Sequence, residues 1–153
     1  MYFKFESLKD RSLINGSSFF MEFGKMKRQE DAAIIEGRLL SAFGQPATTS
    51  TNYEDAFNYV IRATADNGES VILSVYSAGP IHIGSHKKDN LAKEAANALI
   101  KYVSSFDPTD YKRTIYYYDF CLKLDITVEN GKATIISSQI PEEGLTDLMG
   151  KMF

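Results

Sequence analysis

The sequence has almost no cysteine, no long apolar run and no excess of positive charge. Its single cysteine, Cys121, excludes a disulfide within the chain. No segment has the pattern of a signal peptide or the roughly 18 consecutive apolar residues of a membrane-spanning helix. Lysine and arginine total 17 against 20 aspartates and glutamates, so the net charge of −3 lacks the basic surplus of a nucleic-acid-binding protein. We therefore predict a cytoplasmic protein that binds neither membrane nor nucleic acid.

Recognisable cofactor and metal motifs are also lacking. The glycines form neither a GxGxxG motif nor a P-loop, so no nucleotide cofactor is predicted. His82 and His86 are the only histidines, and Asp89 follows three residues later. A spacing of four aligns two ligands on a helix, whereas residues 81–84 have the pattern of a strand and loop. We therefore predict no metal site and no cofactor.

The residues that are present predict a single α+β domain over residues 1–153. Apolar residues make up 44% and charged residues 24%, as in ordinary globular proteins. The pattern predicts a mostly antiparallel sheet with two main helices and a short C-terminal helix. Strands are expected near 2–8, 17–23, 53–63, 71–75, 81–83, 115–120, 122–128 and 133–138, and helices near 28–43, 89–105 and 145–152.

Turn residues predict how neighbouring elements connect. The Asn-Gly pairs at 67–68 and 130–131 favour type I′ hairpins, because both residues tolerate positive φ angles. Gly44 is placed to end the first helix in the left-handed conformation. We also expect the strand at 17–23 to pair with the strand at 2–8.

Acidic residues and tyrosines concentrate in two stretches of the chain. Arg62 is the only basic residue between Arg38 and Lys87, and four acidic residues surround it in that stretch. The run at 116–120 adds tyrosines and an aspartate, which together suit a protein interface, although charge runs are also typical of ordinary solvated surfaces. If the two stretches share one sheet face or edge, the predicted partner-binding residues are Tyr53, Glu54, Asp55, Asp66, Glu69, Tyr117 and Asp119.

Several short segments carry a resemblance to a known class of protein. Residues 39–46 read LLSAFGQP, and Tyr53-Glu54-Asp55 and Tyr59-Val60-Ile61-Arg62-Ala63 follow. Further segments are Val75-Tyr76, Gly79-Pro80, Ile83-Gly84, the alanine-rich helix at 95–100 and Asp110-Tyr111. Together, over about residues 39–120, they resemble small bacterial immunity proteins encoded beside polymorphic or contact-dependent toxins. Ser85 departs from that pattern, which has a second glycine after Ile83-Gly84. The resemblance implies a cytoplasmic, non-enzymatic protein that occludes the active site of a cognate toxin.

Two other hypotheses follow from the same residues. The predicted order of elements after the first two strands is similar to that of secretion chaperones, which bind effector proteins as dimers. Such dimers need an exposed apolar helix or strand edge. A small enzyme using His82 and His86 as acid and base is the third hypothesis, although neither histidine lies near a recognisable nucleophile elbow.

Overall fold

The computed structural model describes residues 1–24, 29–49, 57–77, 81–117 and 122–139. It confirms the α+β class, and every strand pair in these ranges is antiparallel. The predicted C-terminal helix lies outside the described residues. In chain order the elements are β1 (Phe3–Leu8), a 3₁₀ turn (Arg11–Ile14), β2 (Ser18–Glu22), α1 (Gln29–Phe43), β3 (Thr48–Thr49), β4 (Phe57–Ala65), β5 (Ser70–Ser77), β6 (Ile81–Ser85), α2 (Asn90–Ser104), β7 (Tyr111–Tyr117), β8 (Leu122–Glu129) and β9 (Lys132–Ser138).

Six strands form the larger sheet, in the order β1-β4-β5-β6-β2, with the short β3 paired to β4. The expected pairing of β1 with β2 is wrong. β1 pairs with β4 in the register Phe5↔Ala63, and β2 pairs with β6 in the register Met21↔Ile83. The 3₁₀ turn between β1 and β2 contacts β4 and β5, so it carries the chain across the sheet instead of closing a hairpin. β1 and β2 therefore lie at opposite edges.

The core of the larger sheet lies on its helix-covered face. Alternate residues of the strands, such as Ile61 and Leu73, are fully buried there. The helix predicted near 89–105 is α2: the Asp89 carboxylate caps it by accepting from Ala92 N at 3.0 Å, and its buried face includes Leu99. Three alanines on that face let the helix pack closely on the sheet.

The last three described strands form a separate sheet in the order β7-β8-β9. Helix α1 contacts all three of these strands as well as α2. Ala32 and Leu39 of this helix belong to the core of the larger sheet. Ala33 instead packs against the smaller sheet, on a cluster that includes Ile126 and Val128. The α1 helix is therefore buried on two faces and belongs to both cores.

The Asn-Gly pairs at 67–68 and 130–131 adopt different turns. Asn130 and Gly131 have φ angles of 51° and 76°, which confirms the type I′ prediction between β8 and β9. The same prediction is wrong for residues 67–68, where only the glycine has positive φ. There Gly68 N donates to Ala65 O and Ala65 N donates to Glu69 O, at 3.0 and 2.7 Å. Three residues, instead of two, lie between the bonded residues Ala65 and Glu69, which gives a type I turn followed by a glycine bulge.

Candidate partner-binding surface

The turn between β4 and β5 forms an acidic tip at one end of the larger sheet. Asp66 and Glu69 are exposed there. Asp66 N donates to Tyr2 O at 3.1 Å, which fixes the start of the chain beside the turn. The Tyr2 residue is 86% exposed. Asp66 and Tyr2, which are far apart in the sequence, are therefore joined through their backbones, and both residues are exposed to a partner.

A groove runs from this tip between the edge strand β1 and helix α2. Its volume is about 660 Å³, and we call it the β1–α2 groove. Its walls include Met1, Tyr2, Phe3, Phe5, Ala98 and Tyr102. The rings of Phe5 and Tyr102 lie 5.2 Å apart, and Tyr102 remains 39% exposed. Large, rigid aromatic side chains with exposed area are the residues that most often anchor protein interfaces.

Only part of the predicted binding set can be located. Asp66 and Glu69 lie at the acidic tip, as expected for solvent-facing residues. Tyr53, Glu54, Asp55 and Asp119 lie outside the described residues. Tyr117 ends β7. The expectation that the two acidic stretches share a sheet is wrong for their described parts, because β4 and β5 belong to the larger sheet and β7 to the smaller one.

Sequence reasoning missed the aromatic residues beside the acidic tip. The alternation at Phe3 and Phe5 predicted a half-buried strand, and both residues are indeed partly buried. Their role at a groove depends on β1 being an edge strand and on α2 crossing beside it. Neither fact is encoded in the local pattern, because an edge strand and a central strand can show the same alternation.

The two histidines occupy packing positions. The ring of His82, on β6, lies 4.6 Å from that of Phe19 and 5.3 Å from that of Tyr76. His86 Nε2 lies 3.0 Å from Leu13 O, which ties the 3₁₀ turn to the end of β6. Within the described ranges, no group of three or more His, Cys, Asp or Glu side chains is placed to hold a metal ion.

A second cavity, of about 370 Å³, lies between α1, β4 and the start of β7. Glu36 lines this cavity, and the residue is only 2% exposed. Burial raises the pKa of Tyr59, and the charge of Glu36 raises it further by a smaller amount. The Tyr59 hydroxyl donates to Gly44 O at 2.7 Å, where Gly44 ends α1 with a φ of 74°, as predicted. This phenol stays protonated and acts as a structural donor that holds the end of the helix.

Comparisons with known proteins add no relative to this description. Family models, curated protein sequences and solved structures all fail to match the chain. In the part of the chain that the structure describes, neither helix has the length and apolar character needed to cross a membrane. The acidic tip and the β1–α2 groove are the candidate partner-binding features among the described residues.

Proposed function

We propose that this chain is an immunity protein, which binds a cognate bacterial toxin in the cytoplasm of the producing cell and occludes its active site. The observation that carries the proposal is the position of the exposed Asp66 beside the exposed Tyr2. Carboxylates accelerate encounter with a basic cleft, and a tyrosine supplies a buried anchor once contact is made. The segments between residues 39 and 120 that resemble immunity proteins support the same function.

The rigidity of the acidic tip also favours a binding role. The tip connects two strands that lie inside the larger sheet, and β4 and β5 pair over seven residues. Asn67 Oδ1 accepts from Glu69 N at 2.9 Å, so the side chain of the turn braces its own backbone. A preorganised surface loses little conformational entropy on binding. In this proposal Tyr53, Glu54, Asp55, Tyr117 and Asp119 remain candidates for additional contacts.

Identification of the adjacent reading frame supplies the toxin for a direct test. Cells producing that toxin should survive when this chain is co-expressed. With purified proteins, Asp66→Lys and Glu69→Lys should each slow association by several-fold to about tenfold at low salt, and should flatten its salt dependence. The matched control is Glu129→Lys, which reverses an exposed acid beside the turn of the smaller sheet.

Different results would reject different parts of the proposal. Unchanged association rates in both tip variants would reject steering by the acidic tip. Toxicity that persists at full co-expression would reject the immunity function itself. Tyr2→Ala tests the anchor separately, because it should raise the dissociation rate about tenfold or more while changing the association rate little.

The secretion-chaperone hypothesis is favoured by one observation, the position of β1 at the edge of the larger sheet beside a groove lined in part by Phe3, Phe5 and Tyr102. Co-purification with a secreted effector would support that function, whereas rescue of cells from a toxin would support immunity. The enzyme hypothesis is tested by a combined His82→Ala and His86→Ala variant. Unchanged toxin protection and partner binding in that variant would remove it.

A further inference from the structure

Strand β1 presents a row of backbone groups to solvent. Residues of an antiparallel strand alternate between bonding to one neighbour and facing the other side. Ala65 N donates to Glu69 O toward β5, so the even-numbered residues of β4 bond toward β1. The partners of those residues are Lys4 and Glu6. The intervening residues Phe3, Phe5 and Ser7 therefore direct their N–H and C=O groups outward.

This outer edge has no covering strand among the described residues, in which β1 pairs with β4 alone. No hydrogen bond from the described backbone reaches the outward groups of Phe3, Phe5 or Ser7. Proteins generally protect such edges, since a bare edge next to apolar side chains is a template for another strand.

The edge is complementary to itself in one register. A second, antiparallel copy of β1 centred on Phe5 places Phe5 opposite Phe5 of the second copy. It also places Phe3 opposite Ser7 of the second copy, and the reverse by symmetry. All three outward-facing residues then exchange hydrogen bonds with an outward-facing residue. A register centred on Phe3 or Ser7 leaves two of them without a counterpart in the strand, and one centred on Lys4 or Glu6 leaves one.

The charges of β1 favour the same register. Lys4 and Glu6 are both exposed, on the face away from the helices. Centring on Phe5 sets Lys4 opposite Glu6 of the second copy, and two-fold symmetry repeats the pair. These are positions without mutual backbone bonds, where side chains approach most closely. In one copy, Glu6 already lies 3.4 Å from Arg62, which orients its carboxylate on this face.

We propose that two copies of this chain form a two-fold dimer by pairing β1 with β1, centred on Phe5. The pairing joins the two larger sheets and brings the Phe5 rings together on the helix side, where they close the β1–α2 grooves. A two-fold contact of this kind uses the edge of both copies, so association stops at the dimer. The dimer does not depend on the immunity function, because Asp66 and Glu69 belong to the turn and Tyr2 lies outside the paired residues Phe3 to Ser7.

Light scattering during gel filtration of the full chain measures the state directly. We expect a mass twice that of the 17.2 kDa chain, and a monomer at all concentrations would overturn the proposal. Lys4→Glu and Glu6→Lys should each weaken the dimer about tenfold, since each converts two attractive pairs to repulsive ones. The double variant should restore dimerisation by exchanging the two charges. Failure of that rescue in a folded double variant would overturn the register.

A backbone variant tests the edge without changing charge. Ser7→Pro removes an outward N–H that makes no bond to β4, so it should give a folded monomer. Ser7→Ala keeps that N–H and should remain dimeric. A dimer that persists in Ser7→Pro would overturn pairing through β1. Lys132→Glu, at the outer strand of the smaller sheet, controls for a general effect of charge reversal.

Discussion

The two sheets differ greatly in how much core they possess. Seventeen buried residues form the cluster of the larger sheet, whereas four form that of the smaller sheet, among the residues that the structure describes. Within the described ranges, residues of both helices enter the core of the larger sheet, while one face of α1 covers the smaller sheet. Regions with few buried apolar contacts open at lower free energy than the main core. We therefore expect amides of β7–β9 to exchange hydrogen faster than those of β4 and β5.

The largest effect should come from matched leucine truncations in the two cores. Leu73 and Leu124 are 0% and 1% exposed, so both changes to alanine remove the same buried atoms. Leu73→Ala should lower the free energy of unfolding by about 3–5 kcal/mol, and Leu124→Ala by about 2–3 kcal/mol, because the thinner core can relax around the space. Urea denaturation measures both values. An equal or greater cost for Leu124→Ala would contradict the comparison.

The next largest loss of stability should follow a substitution at Gly37, where the linker between α2 and β7 crosses α1. A Cβ on Gly37 would lie 2.9 Å from Thr109 O and 3.1 Å from Pro108 Cβ. Gly37→Ala should therefore destabilise by about 1–3 kcal/mol, although alanine normally favours a helix. Hydrogen exchange should accelerate more in the smaller sheet than in the larger one. Asn97→Ala, at an exposed site on α2, is the control and should change stability by less than about 0.5 kcal/mol.

A smaller difference should separate the Asn-Gly turns at 67–68 and 130–131. Asn130→Ala forces alanine into the left-handed region at φ 51° and should cost about 1 kcal/mol. Asn67→Ala loses an exposed hydrogen bond to Glu69 N and should cost about 0.5 kcal/mol. Thermal unfolding measures both, and Asn130→Gly should stay close to the wild type because glycine adopts positive φ freely. A costly Asn67→Ala with a neutral Asn130→Ala would reverse the assignment of the turns.

The smallest effect should come from a polar cluster on the outer face of the smaller sheet. Thr114 Oγ1 and Ser137 Oγ donate to the two carboxylate oxygens of Asp125, at 2.7 and 2.9 Å. Both hydrogen bonds lower the pKa of Asp125, and the bond from Thr114 has the larger effect. Its ionised form thus stabilises the fold above the unfolded carboxyl pKa of about 3.9, and the contribution is lost as pH falls through the lower folded pKa.

The corresponding variant is Asp125→Asn. It should lose less than about 1 kcal/mol near neutral pH, because water screens a carboxylate at the surface. Its stability should converge with that of the wild type as the solution is acidified below the folded pKa. Chemical denaturation at a series of pH values measures the difference. A difference that stays constant across the acid range would show that ionisation of Asp125 does not contribute.

Local patterns predicted the elements well and their partners less well. The helix near 89–105 and the turn at Asn130 depend on neighbouring residues, and both are confirmed. The partner of β2 was missed because the Asn15-Gly16 pair between β1 and β2 indicates that the chain turns there without specifying which strand it meets. Division into two sheets was missed because the alternation in β8 resembles that in β4. For the same reason, sequence reasoning found Asp66 and not the aromatic residues that the fold brings beside it.

The two cores that share α1 are synthesised one after the other. Among the described residues, every strand of the larger sheet and both helices precede residue 105, whereas the smaller sheet begins at Tyr111 and ends at Ser138. At about 5–20 residues per second, the ribosome needs a few seconds to add that last stretch. During this interval the nascent chain can complete its main core while the side of α1 around Ala33 still faces water. A helix shared between two cores thus exposes a transient apolar surface on the ribosome, where a nascent-chain chaperone would bind it.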